Sequence, residues 1–116
     1  MTLVAQDERS RRDLAGYLQQ SGFDVRARQR VPRRGDAMPS LVWLTDPEGD
    51  LADVALAIDG WLAANGSRRA VVVTLRPMVF HTLREVHAGR LVVLPAPVFG
   101  WQVVDALRTN DDGDAP

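Results

Sequence analysis

Three short segments, Leu41-Val42-Trp43-Leu44, Val71-Val72-Val73-Thr74 and Leu91-Val92-Val93-Leu94, are apolar at almost every position rather than at every second one. A strand with one wet face alternates apolar and polar residues, whereas a strand covered on both faces reads as an unbroken apolar run. The three segments therefore predict buried parallel strands. Parallel strands need crossovers, and the intervening sequence supplies them at helical spacing. Asp50 can cap a helix through Leu51, Val54, Ala55, Ile58, Trp61 and Leu62, closed by Asn65-Gly66. A second helix fits Val79 to His87 ahead of Gly89, and a last one fits Val98 to Arg108.

The N-terminal part repeats the pattern. Thr2 to Ala5 makes a short strand that Gln6-Asp7-Glu8 ends. Ser10, three residues before Asp13, is a capping arrangement for a helix through Leu14, Tyr17 and Leu18 up to Ser21-Gly22. Phe23 to Ala27 suits a second strand. Arg28 to Pro39 holds Pro32, Gly35 and Pro39 with few apolar residues, and reads mostly as loop. Alternation with one helix short or missing between strands two and three predicts a three-layer α/β domain with a five-stranded parallel sheet. The domain spans residues 1–110, and residues 111–116 read as an acidic tail or linker.

Composition narrows the chemistry. A chain of 116 residues with 46% hydrophobic content is one domain with its own core, not a disordered segment. The absence of cysteine excludes disulfides, thiolate zinc sites and cysteine nucleophiles. The 14 basic residues, all Arg, face 15 acidic ones for a net charge of −1, which argues against a direct nucleic-acid binder. Without Lys, no Schiff base and no phosphate-reading amine can come from within this chain. No apolar run nears the roughly 18 residues of a membrane span, and Asp7 and Glu8 follow Met1 too soon for a signal peptide. A soluble cytoplasmic protein with no direct membrane contact is expected. His81 and His87 lie six apart and do not share a helix face, so no zinc site is expected. No Gly-rich phosphate loop, nucleophile elbow or His-acid pair is present. We therefore expect no enzyme and no cofactor.

Ligands of open parallel sheets gather at the carboxyl ends of the strands. Those ends carry Gln6, Asp7 and Glu8, then Thr45 and Asp46, then Thr74, then Pro95-Ala96-Pro97. In that frame Thr2 to Glu8 with the following helix, Ser21 to Val25, Pro39 to Thr45 and Leu94 to Pro97 resemble a response-regulator receiver domain over nearly the whole chain. The resemblance implies the flavodoxin-like strand order 2-1-3-4-5. It also implies phosphoryl transfer from a histidine kinase to an aspartate beside Mg²⁺, with a Lys and a hydroxyl reading the new phosphate. Position by position, the paired acids fall on Gln6 and Asp7, the acceptor on Thr45, the hydroxyl on Thr74 and the lysine on Ala96. The spacing from Thr74 to Gly89 to Ala96 fits the family, but the acceptor carboxylate and the lysine are gone. The chain thus resembles a pseudo-receiver. The missing second helix, with Arg69 to Thr74, Ala96-Pro97 and Ala106 to Arg108, is similar to the α/β/loop domain inserted in hybrid sensor histidine kinases of the Rcs type.

Alternatives stay open at several of these residues. A one-residue slip makes Asp46 the acceptor, with Arg76 in place of the lysine; otherwise Asp46 is a turn residue before Pro47. Asp7 and Glu8 are either polar punctuation favoured by a helix dipole or the remains of a cation site. Arg26, Arg28, Arg30, Arg33 and Arg34 form a basic stretch, opposed in sign by Asp46, Glu48, Asp50, Asp53 and Asp59. Both are solvated faces or a charge-steered docking surface for a protein partner. The resemblance places Met78, Phe80, Phe99 and Trp101 in an exposed apolar patch through which receivers dock and dimerise; the other reading puts them in the core. The function expected is a non-catalytic, phosphorylation-independent signalling module of a bacterial two-component system, part of a larger sensor kinase or regulator. The alternative is a receiver still phosphorylated at Asp46.

Overall fold

The computed structural model describes residues 1–28, 40–45 and 50–111. Strands β1 (Thr2–Ala5), β2 (Arg26–Arg28), β3 (Ser40–Leu44), β4 (Arg69–Thr74) and β5 (Leu91–Pro95) form one parallel sheet in the order β2-β1-β3-β4-β5. Helices α1 (Glu8–Gln20), α2 (Leu51–Ala63), α3 (His81–Val86) and α4 (Gly100–Asp111) cover it, and one turn of 3-10 helix at Pro77–Phe80 leads into α3. This is the expected flavodoxin-like arrangement, and among the described residues no helix stands between β2 and β3. Arg30, Arg33, Arg34, Asp46 and the end of the acidic tail lie outside the described residues.

Register explains why the strands had to be apolar throughout. Leu3, Val42, Val71 and Val92 pair in one row across the sheet, on the face covered by α1 and α4. Val4, Trp43, Val72 and Val93 form the next row, on the face covered by α2 and the Phe80 turn. Successive side chains point to opposite faces, so each strand contributes to two cores. Leu18 and Val103 complete one core, while Ile58, Leu62 and Phe80 complete the other, all with no exposed surface. Each such side chain contributes about 1.5–3 kcal/mol on burial.

Several local expectations change. Strand β2 is Arg26–Arg28 rather than Phe23 to Ala27; Phe23 and Val25 instead pack as partly buried residues against the α1–α4 core. The first helix is capped by Asp7, whose carboxylate accepts from the Ser10 N–H at 2.9 Å, so Ser10 serves the cap and is not itself the cap. Helix α2 is capped by Asp50 as expected but ends at Ala63, ahead of Asn65-Gly66. Asp111 closes α4 and does not open the tail. Gly22 and Gly89 adopt φ of 99° and 78°, left-handed conformations that suit the chain reversals after α1 and α3.

Candidate functional site

A cleft of about 920 Å³ opens at the carboxyl edge of the sheet, between α1 and the β5–α4 connection. From the strand ends, Gln6, Asp7, Thr45 and Ala96 line it together. Four of the positions assigned to the degenerate phosphorylation site are thus brought to one place. The resemblance aligned these residues, and the topology explains why they meet: β1, β3, β4 and β5 run parallel, so their C-termini end on one side.

The hydroxyls of Thr45 and Thr74, at the ends of β3 and β4, are turned back into the protein. Thr45 donates both its N–H and its Oγ1–H to the Val73 carbonyl, each at 3.0 Å. Thr74 is fully buried and does not line the cleft. Its Oγ1 accepts the Arg76 N–H at 3.1 Å, and its carbonyl accepts the Ala96 N–H at 2.8 Å. Neither hydroxyl is aimed at a ligand. Arg76, the conceivable stand-in for the lysine, is not among the lining residues.

The acids behave differently from one another. Asp7 Oδ2 accepts from Ser10 Oγ at 2.6 Å and from the Ser10 N–H at 2.9 Å. Those two bonds, the hydroxyl first, hold its carboxyl below the ordinary value, with Arg9 and Arg11 adding a smaller effect in the same direction. Glu8 points elsewhere: it pairs with Arg12 at 2.8 Å and borders a separate shallow hollow with Arg11 and Gln19. Asp7 and Glu8 therefore do not converge on one cation. Among the described residues, no group of three or more His, Asp or Glu side chains is placed to hold a metal ion. Asp46 falls outside the described residues.

Sequence reasoning missed the helical wall of the cleft. Ser10, Asp13, Leu14 and Tyr17 lie on one side of α1, at the three- and four-residue spacing that follows from Asp7 as cap. That spacing was visible once the cap was placed correctly. Gly100 faces them from α4; a Cβ there would come within 2.6 Å of Tyr17 Cδ1, so glycine is what lets the ring lie against α4.

The apolar patch is only partly as expected. Met78, Phe99 and Trp101 are 77%, 72% and 59% exposed, whereas Phe80 is fully buried beneath α2 and is a core residue. Met78 points out and Phe80 points in because a 3-10 helix turns by about 120° per residue, so side chains two residues apart do not share a face. Leu75 and Val79, which sequence reasoning did not select, are exposed beside Met78 in the chain. Of the basic stretch, Arg26 and Arg28 stand exposed on the edge strand β2, where charge discourages pairing with another sheet. No helix of the described residues is long and apolar enough to cross a membrane.

Comparison with protein-family models, with curated proteins and with solved structures found no match for this chain.

Proposed function

We propose that the chain is a pseudo-receiver: a non-catalytic signalling module of a two-component system that acts by protein contact and not by phosphorylation. One observation carries the reading. Gln6, Asp7, Thr45 and Ala96, matched to receiver positions by sequence, line a single cleft in a sheet of order 2-1-3-4-5, yet bring one carboxylate and no amine to it. Phosphoryl transfer needs a carboxylate to attack, a metal ion to bridge the phosphoryl oxygens and a cation to take up the developing charge. Asp7 has one carboxylate oxygen engaged with Ser10, Asp13 is the only other carboxylate among the described lining residues, and Ala96 cannot neutralise anything. Exposed Met78, Phe99 and Trp101, two of them beside the fifth strand's exit and one beside the fourth's, support docking to a kinase, a neighbouring domain or a second copy of the chain. The module acts in the cytoplasm as part of a larger sensor kinase or regulator.

The test is incubation with Mg²⁺ and acetyl phosphate, followed by intact mass measurement. The reading predicts an unchanged mass. Addition of one phosphoryl group, abolished by Asp46→Asn, would replace it with the phosphorylated-receiver reading.

A further inference from the structure

We propose that the cleft at the carboxyl edge is a binding site for a small aromatic amine, with its ring against Tyr17 and the Pro97-Val98 wall and its ammonium on the Asp7–Asp13 side. The inference rests on the reading of this cleft as a vacated phosphorylation site. Its volume of about 920 Å³ is that of a small-molecule site, roughly 300–1,000 Å³, and its lining mixes apolar walls with a few polar groups as such sites do.

Charge selects the class of ligand. Asp7 and Asp13 both line the cleft, and among the described residues no Arg or His does. Both bonds to Asp7 end on Oδ2, which leaves Oδ1 for a ligand, and Asp13 makes no hydrogen bond or ion pair among the described residues. An anion would be repelled by both. Among the described residues a metal ion finds too few ligands. An organic ammonium needs only charge and one or two acceptors, and it gains further from an aromatic face. Tyr17 supplies that face: its ring is 42% exposed as a residue and is seated by the absent side chain of Gly100. Leu14, Leu44 and Val73 give the interior an apolar surface against which a ring loses water. Ala96 fits the same account, since a lysine there would set its own ammonium in the cleft and exclude an external one.

The test is amide NMR titration of the isotope-labelled chain with phenethylamine, with phenylacetate and with propylamine. Phenethylamine is expected to bind with a Kd on the order of a millimolar and to shift amides of Asp13, Tyr17, Val98 and Gly100. Phenylacetate, with the same ring and opposite charge, is expected not to bind, and propylamine to bind more weakly for want of the ring. Asp13→Asn is expected to weaken phenethylamine about tenfold, the worth of one charge-assisted bond. Ala96→Lys is expected to abolish binding while the rest of the spectrum stays folded, which keeps the test informative if Asp13→Asn perturbs α1. Equal binding of phenethylamine and phenylacetate, shifts confined to residues away from the cleft, or no binding at all would overturn the inference. A phosphoryl adduct would overturn the reading of the site beneath it; failure of phenethylamine to bind an unphosphorylated chain would overturn this inference alone.

Discussion

The two ends of the sheet are built in opposite ways. At the amino end, two arginines and a histidine are locked into place. Arg68 is 5% exposed, donates to the Trp61 carbonyl at 3.1 Å and places its guanidinium carbon 4.9 Å from the Trp61 ring centre. Arg90 donates to the Arg68 carbonyl at 3.0 Å and to the carbonyls of Leu62 and Asn65, so two guanidinium groups close the carboxyl end of α2. His87, 7% exposed, meets Asp59 Oδ1 at 2.7 Å, a His-acid pair across 28 residues that the sequence did not signal, and joins α2 to the end of α3. At the carboxyl end, the hydroxyls are spent on the backbone, the cleft is open, and Met78, Phe99 and Trp101 face outward. The difference teaches where side-chain bonding is concentrated: guanidinium and imidazole bonds fasten one end, and the other is left open, with apolar side chains exposed.

Removal of a core side chain should have the largest effect. Phe80→Ala is expected to lose about 3–5 kcal/mol in urea unfolding, while Met78→Ala, two residues earlier, should stay within about 0.5 kcal/mol. Equal losses would erase the distinction between inward and outward positions of that turn. Next, Arg68→Ala should lose about 2–4 kcal/mol, because the Trp61 carbonyl and ring are both left without the guanidinium. At the other end, Thr45→Val should change stability by no more than about 1 kcal/mol, since only its hydroxyl bond to Val73 is lost. A larger loss at Thr45 than at Arg68 would invert the comparison.

Smaller effects sharpen it. Thr2 Oγ1 is buried without a hydrogen-bond partner among the described residues, so Thr2→Val, which keeps the shape, should raise stability by about 1 kcal/mol in thermal melts. Trp101→Asp should leave the melting temperature almost unchanged and weaken any self-association seen by sedimentation. The Asp7 cap should be sensitive to acid. Its carboxyl is lowered in the folded protein by Ser10, so its contribution is fully present above the unfolded value and is lost as pH falls through the folded one. Below about pH 4 the native chain should therefore lose stability relative to Asp7→Asn, whose amide caps at any pH. Parallel pH profiles for the two proteins would sink that account of the cap.

Much of the fold was legible because its signals are local and redundant. Val71-Val72-Val73 has no polar position to spare, and only a doubly covered strand uses such a run. Strand β2 was misplaced by a few residues because an exposed edge of Arg26, Ala27 and Arg28 carries no hydrophobic signal, while Phe23 and Val25 are apolar for packing against α1. Surface and core stayed open for Phe80 and Met78 alike because a resemblance places residues only on a face, whereas a single turn of 3-10 helix decides which of them turns inward. The strand-end half of the cleft was readable from parallel topology and the aligned motifs. Its helical half was not, because Asp13 and Tyr17 join it only when Asp7 is recognised as the cap that sets the phase of α1.

The central claim is that this switch-shaped domain has no phosphate-driven switch. Its most direct test is the amide NMR spectrum recorded with and without Mg²⁺ and beryllofluoride, which mimics an aspartyl phosphate. The account predicts superimposable spectra at Thr45, Thr74, Ala96 and Phe99. Discrete shifts at Thr45 and Thr74 that spread to Met78 and Phe99 on addition of both reagents would contradict it.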